Sequence, residues 1–271
     1  MKYAAHSKTS SAITVFRLVI IWSFALAPVM AFAQDPGSAV SENIETPAAA
    51  EKGSSASSKP SPEKVTPKKP AKGNPVLRPI ADVPGLPRVL LIGDSISMGY
   101  TLGVRERLQG RANVHRISAN GGPTTRGLAS IERWLGDSKW DLIHFNWGIH
   151  DLRHMPSGER QVEPKEYEAN LRTLVNRLRE TGAVLIWAAI TPIPKGKLNP
   201  DRTFGDETEY NEIAARVMRG YQIPINDLHS YVLPRFAELQ RPMDLHYKPE
   251  GSDYLAEQVS REIGERLPDR K

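Results

Sequence analysis

Four short polar stretches carry side chains suited to acyl transfer: Gly93-Asp94-Ser95, Asn120-Gly121-Gly122, Gly148-Ile149-His150-Asp151 and Asp244-Leu245-His246. A serine hydroxyl is a weak nucleophile until a base takes its proton, and a histidine held by a carboxylate meets that need. Ser95 is read as the nucleophile, His246 as its base and Asp244 as the acid that orients the imidazole, with Asp227 as a reserve acid. The tetrahedral intermediate also needs donors aimed at its oxyanion. The Ser95 N–H, the Gly122 N–H and a side chain from the Gly148–Asp151 turn, such as His150, are the candidates. Gly122 suits the role because a missing Cβ permits close backbone approach to a ligand. Asp94 is expected to shape its turn and Asp151 to brace its loop.

A second chemistry uses His144, His150, Asp151 and His154 to bind a metal for hydrolysis. His150 and His154 have helical i, i+4 spacing, although Pro156 and Gly158 break a helix there. The chain has no cysteine, which removes thiolate catalysis, disulfides and cysteine zinc sites together. The serine chemistry requires neither metal nor organic cofactor. Trp147 and Trp187 lie near strand ends, where they either line a sugar cleft or, more commonly, pack. His229, in Asn226-Asp227-Leu228-His229, imitates the Asp-Leu-His triplet but directly follows a strand, and is read as structural. Asn146, placed in the third strand, is a weaker stand-in for His150.

These residues need a scaffold that brings distant loops together. Val89–Ile92 is a short apolar, branched run ending at Gly93, the pattern of a buried parallel strand. A helix follows, spaced by Met98, Leu102 and Leu108. Further strands are expected at Asn113–Ile117, Asp141–Asn146, Val184–Ile190 and Ile223–Ile225, the last marked as an edge by Pro224. The helices between them run through Leu128, Ile131 and Leu135, then Leu171, Leu174, Val175 and Leu178, ending near Gly182, and then Ile213, Val217 and Met218. A final helix carries Leu255, Val259 and Ile263. Strands separated by helices imply parallel pairing, so the fold class is a three-layer α/β/α domain with about five strands. Ser95 then sits past the carboxyl end of a strand, where open sheets of this kind bind ligands.

The ordered set of motifs resembles the SGNH hydrolases, the GDSL esterase/lipase group. Gly93-Asp94-Ser95 matches the nucleophile motif, Gly122 the glycine donor, Gly148–Asp151 the Gly-x-Asn-Asp motif and His246 the histidine, over about residues 87–267. The resemblance implies a flavodoxin-like sheet of order 2-1-3-4-5 and metal-free ester hydrolysis. This chain departs from the group twice. His150 stands where the motif has asparagine, and Asp244 lies two residues before His246 while Met243 holds the usual Asp-x-x-His position.

The rest of the chain bounds the setting. Lys2, Lys8 and Arg17 precede an apolar stretch, and Ala31-Phe32-Ala33 offers a cleavage site, so residues 1–33 read as an export signal. Residues 34–86 are rich in Pro, Ala, Ser, Lys and Glu and read as a disordered linker, with a catalytic domain over 87–271. The linker lysines raise a weak contact with anionic envelope polymers. A net charge of +5 over 271 residues, with no concentrated basic face, argues against a nucleic-acid binder. The expected function is an exported serine esterase, periplasmic or extracellular, acting on a small-molecule or glycan ester; the resemblance to exported members of the group implies acetylated carbohydrate ahead of lipid. The alternatives are the metal-dependent hydrolase and a carbohydrate-binding protein that keeps the fold without the chemistry.

Overall fold

The computed structural model describes residues 74–268. The expected export signal and the linker up to residue 73 lie outside the described residues. Five parallel strands form one sheet: β1 (Arg88–Ile92), β2 (Asn113–Arg116), β3 (Leu142–Phe145), β4 (Val184–Ala188) and β5 (Ile225–Asn226). Their spatial order is β2-β1-β3-β4-β5, the flavodoxin-like order. The register sets Leu91 beside Arg116 and His144, and Trp187 beside Ile225.

Seven helices flank the sheet: α1 (Ser95–Arg107), α2 (Thr124–Leu135), α3 (Pro164–Arg179), α4 (Asp206–Gly220), α5 (Leu228–Val232), α6 (Phe236–Leu239) and α7 (Pro249–Gly264). Side chains alternate across a strand, so the two sheet faces feed two cores. Leu90, Ile92, Ile143, Phe145, Leu185 and Trp187 face α2, α3 and α4. Val89, Leu91, Leu142, Ile186 and Ala188 face α1, α5 and α7. Each fully buried aliphatic side chain contributes about 1.5–3 kcal/mol of transfer free energy, so both layers are anchored by burial.

Three expectations need correcting. Leu102 and Leu128 are exposed, at 45% and 37%. The inward face of α1 is instead Tyr100, Val104 and the following Leu108, and that of α2 is Ile131, Trp134 and Leu135. The fifth strand is Ile225–Asn226, starting two residues later than expected, because Pro224 has no N–H to give to a ladder. Residues 74–86, read as linker, pack on the domain. Val76 is buried in a 3-10 turn (Pro75–Leu77), the Val83 N–H donates to Asn113 Oδ1 at 2.8 Å, and Asp82 pairs with Arg88 and His115.

α1 and α7 begin beside one another and run in the same direction. Gly99 faces Ser252 and Gly103 faces Ala256, four residues further along each helix. A Cβ at Gly103 would lie 2.8 Å from that of Ala256, so the glycine permits the close approach. This packing matters for chemistry, since Ser95 opens α1 and His246 lies three residues before α7.

Candidate active site

The site is built where β1 ends. Asp94 caps α1: its Oδ1 accepts the Ile96 N–H at 2.8 Å and the Ser97 N–H at 3.4 Å. Ser95, the first helical residue, has no intrahelical acceptor for its own N–H, which leaves that donor at the helix's positive end. A buried arginine clamps the turn from β2. Arg116 donates to Gly93 O at 2.8 Å, Asp94 O at 3.0 Å and Ser97 Oγ at 2.6 Å. Burial pushes its pKa down to about 10, so it remains a cation at neutral pH. The sequence reading missed Arg116. The available signal was a charged residue two places from Val114, on the inward side of a strand.

The loop before α7 brings His246 to Ser95. His246 Nε2 lies 2.8 Å from Ser95 Oγ, and His246 Nδ1 lies 2.6 Å from Asp244 Oδ1. The shortened Asp-x-His spacing works through a local turn. The Asp244 N–H donates to Arg241 O at 3.2 Å around Pro242 and Met243, and Met243 takes φ +54° at the corner. Asp244 Oδ1 then accepts both the His246 backbone N–H at 3.1 Å and the ring. Burial raises the Asp244 pKa, but these two bonds and the nearby positive charges outweigh it, and the carboxyl titrates below its ordinary value. Asp227 plays no part in this contact. It caps α5, accepting the Ser230 N–H at 3.0 Å.

The second loop is fastened to the first. The Gly121 N–H donates to Gly93 O at 2.9 Å, and a Cβ at Gly121 would sit 2.9 Å from that same oxygen. Gly122 adopts φ +63°, and its N–H donates to Asn120 Oδ1 at 2.9 Å. This candidate oxyanion donor is therefore already engaged by a side chain.

His150 sits partly buried in the loop after β3. Burial holds its pKa below the ordinary histidine value; the Asp94 charge opposes this, and the charges of Arg202, Arg153 and Arg126 reinforce it. Asp151 braces the loop as expected, accepting the Thr124 N–H at 2.8 Å and the Thr124 hydroxyl at 2.5 Å. Its burial still raises the pKa to about 6. Asn146 follows β3 and donates to Ala188 O at 2.7 Å, which commits its amide to the sheet.

The residues of the metal alternative are dispersed. His144 is fully buried in β3, and its Nε2 lies 3.1 Å from Asn226 Nδ2. His154 lies 3.0 Å from Asp206 Oδ2, which also binds Arg160. With Asp151 held by Thr124, these groups do not converge. Among the described residues no group of three or more His, Cys, Asp or Glu is placed to hold an ion. Trp147 and Trp187 are each 1% exposed, so packing is their role. His229 lies 3.6 Å from Glu207, away from Ser95.

A groove of about 360 Å³ opens onto Ser95 and His246, lined also by Asn74, Met98, Arg241 and Ser252. Asn74 is contributed by the segment read as linker. A larger hollow of about 480 Å³ lies between α4 and the β5 edge, near Arg219 and His229, and contains neither Ser95 nor His246.

The model of the GDSL-like Lipase/Acylhydrolase family matches residues 91–254, more than half of the chain. Comparison with curated proteins finds no match. Among solved structures, a lipase/acylhydrolase from Enterococcus faecalis superposes with a TM-score of 0.59 at 21% identity, over 69% of this chain and 99% of that one. Axe2, an acetylxylan esterase from Geobacillus stearothermophilus, gives 0.56 at 21% identity, over 68% and 97%. The acetyl xylan esterase AlAXEase gives 0.56 at 17% identity, over 65% and 99%. At these identities the likeness is one of fold.

Proposed function

The chain belongs to the GDSL-like lipase/acylhydrolase family, and on that premise we propose that it is an exported serine esterase acting on acylated carbohydrate. The observation that carries this reading is the contiguous run from Ser95 Oγ through the His246 ring to Asp244 Oδ1, at 2.8 Å and 2.6 Å. In the proposed cycle Ser95 Oγ attacks the ester carbonyl while His246 Nε2 takes its proton. His246 then gives that proton to the departing alcohol oxygen, leaving an acyl-serine. Water attacks the acyl-serine, with His246 again accepting the proton and returning it to Ser95. Asp244 holds the ring with Nε2 toward Ser95 and favours the imidazolium formed in each step.

The Ser95 N–H is the first oxyanion donor in this scheme. The Gly122 N–H joins it once the Asn120 amide turns away, and His150 supplies a third donor from the β3 loop. A short acyl group suits the groove, which is lined by Asn74, Arg241 and Ser252. The two acetylxylan esterases among the similar folds support carbohydrate as the substrate class. Export rests on the amino-terminal sequence pattern.

Ser95→Ala is expected to abolish hydrolysis of a short-chain aryl ester, and the unaltered protein is expected to be labelled at Ser95 by a fluorophosphonate. Turnover retained by the variant would overturn the mechanism. Saturable glycan binding without any labelling would point to the non-catalytic alternative.

A further inference from the structure

Three arginines whose charges bear on His150 have no carboxylate partner among the described residues. Arg202 is 3% exposed, and its guanidinium donates only to backbone, to Ile149 O at 2.6 Å and Pro200 O at 3.2 Å. Arg153 lies three residues beyond His150, with its Nε buried and bonded to nothing. Arg126 is exposed and folds across Gly122, where a Cβ on the glycine would come within 2.9 Å of Arg126 Cδ. None of the three forms an ion pair among the described residues, although Arg160 nearby is fully matched by Asp206 at 2.5 Å. Exposed Arg241 lines the groove with Ser95 and His246, and its charge is felt by Asp244. Asp201, close in sequence to Arg202, is exposed.

Cations grouped in a partly dry place repel one another, and an anion that enters among them is strongly favoured. The carboxylates at hand do not serve that purpose. Asp94 is turned to the α1 amides, its charge reaching Arg202 without an ion pair, and buried Asp151 holds Thr124 through Oδ1 while its Oδ2 meets no arginine. The positive field is therefore left for a ligand, and it borders the Gly122 and His150 donors. A guanidinium donates two parallel hydrogen bonds to a carboxylate, which gives position as well as attraction.

We propose that the ester substrate itself carries a carboxylate, seated by Arg126 and Arg153 on the His150 side of Ser95, with Arg202 supplying field from behind. The proposal rests on the serine-esterase reading and narrows its alcohol to an acidic sugar. It adds a specificity subsite to that site and leaves the hydrolytic step unchanged.

The test compares two esters that differ only in charge: the O-acetyl ester of methyl glucuronoside and the same ester of methyl glucoside. The ratio of their kcat/KM values is expected to favour the carboxylate by about tenfold, the equivalent of one good ion pair, and to fall as salt is raised. Arg126→Gln and Arg153→Gln are each expected to lower that ratio at least about threefold, with the neutral ester as internal reference. A ratio at or below one, or a ratio unmoved in the double variant, would overturn the subsite. Calorimetry of methyl glucuronoside with the Ser95→Ala protein separates this proposal from the esterase reading. Binding lost in the arginine variants supports the subsite even if no ester is turned over, and absence of binding counts against it even if aryl esters are hydrolysed.

Discussion

At the residue scale, the site turns on how Asp244 reaches His246 from only two residues away. In a longer Asp-x-x-His segment the carboxylate has an extra residue with which to swing under the ring. Here the turn over Pro242 and Met243 aims the backbone, and one carboxylate oxygen holds both the ring and the main-chain N–H of His246. Asp244→Asn is expected to lower kcat by about 10²–10⁴-fold, because an amide that keeps the geometry no longer favours the tautomer with Nε2 free to accept a proton. Asp227→Asn is expected to leave kcat unchanged, since asparagine also caps a helix. Steady-state kinetics on an aryl ester checks both, and equal losses in the two variants would sink the assignment. That Ser95 and His246 would meet was legible in the sequence because their motifs flank recognisable strands and helices. The Asn120–Gly122 bond and the Arg116 clamp were not, since each depends on the rotamer of one polar side chain meeting backbone distant in sequence.

At the scale of elements, strand periodicity was read better than helix facing. Leu171, Leu174, Val175 and Leu178 define α3 without ambiguity, and all are fully buried. For α1, Leu102 pointed to the wrong face because glycines at 99 and 103 let α7 cover a side with little apolar character. A polar line crosses the same layer. His144 meets Asn226, whose Oδ1 accepts from Gln258 Nε2 at 3.1 Å on α7. Burial depresses the His144 pKa to about 3. The unfolded chain therefore takes up this proton near pH 6.5 while the native chain does not. Stability from the neutral ring is present above that pH and is lost as pH falls toward 3, by at most about 1.4 kcal/mol per pH unit. His144→Gln keeps an acceptor for Asn226 without the titration. Relative to this variant, the wild type is expected to lose urea stability steadily from pH 6.5 downward. Parallel curves for the two proteins over that range would refute the linkage.

At the scale of the whole molecule, the sheet order and the sharing of helices between its two faces followed from the alternation of elements. The amino-terminal edge did not. Residues 74–86 have a linker's composition, yet Asn74 reaches the groove, Val76 is buried, and Asp82 joins Arg88 and His115. A few specific contacts were enough to bind a stretch whose average character says nothing about them. The two cores also differ optically. Trp134, Trp140, Trp147 and Trp187, all the tryptophans among the described residues, lie in the core against α2, α3 and α4. The layer of α1 and α7, which brings Ser95 and His246 together, contains Tyr100 and Tyr247 but no tryptophan. Intrinsic tryptophan emission is thus a reporter for one half of the protein and dark to the half that joins Ser95 and His246. In a guanidinium titration of a Trp22→Phe protein, esterase activity is expected to vanish at lower denaturant than the emission shift, because active-site elements are drawn from the low-stability end of a fold. Superimposable curves would mean that the two layers melt as a single unit.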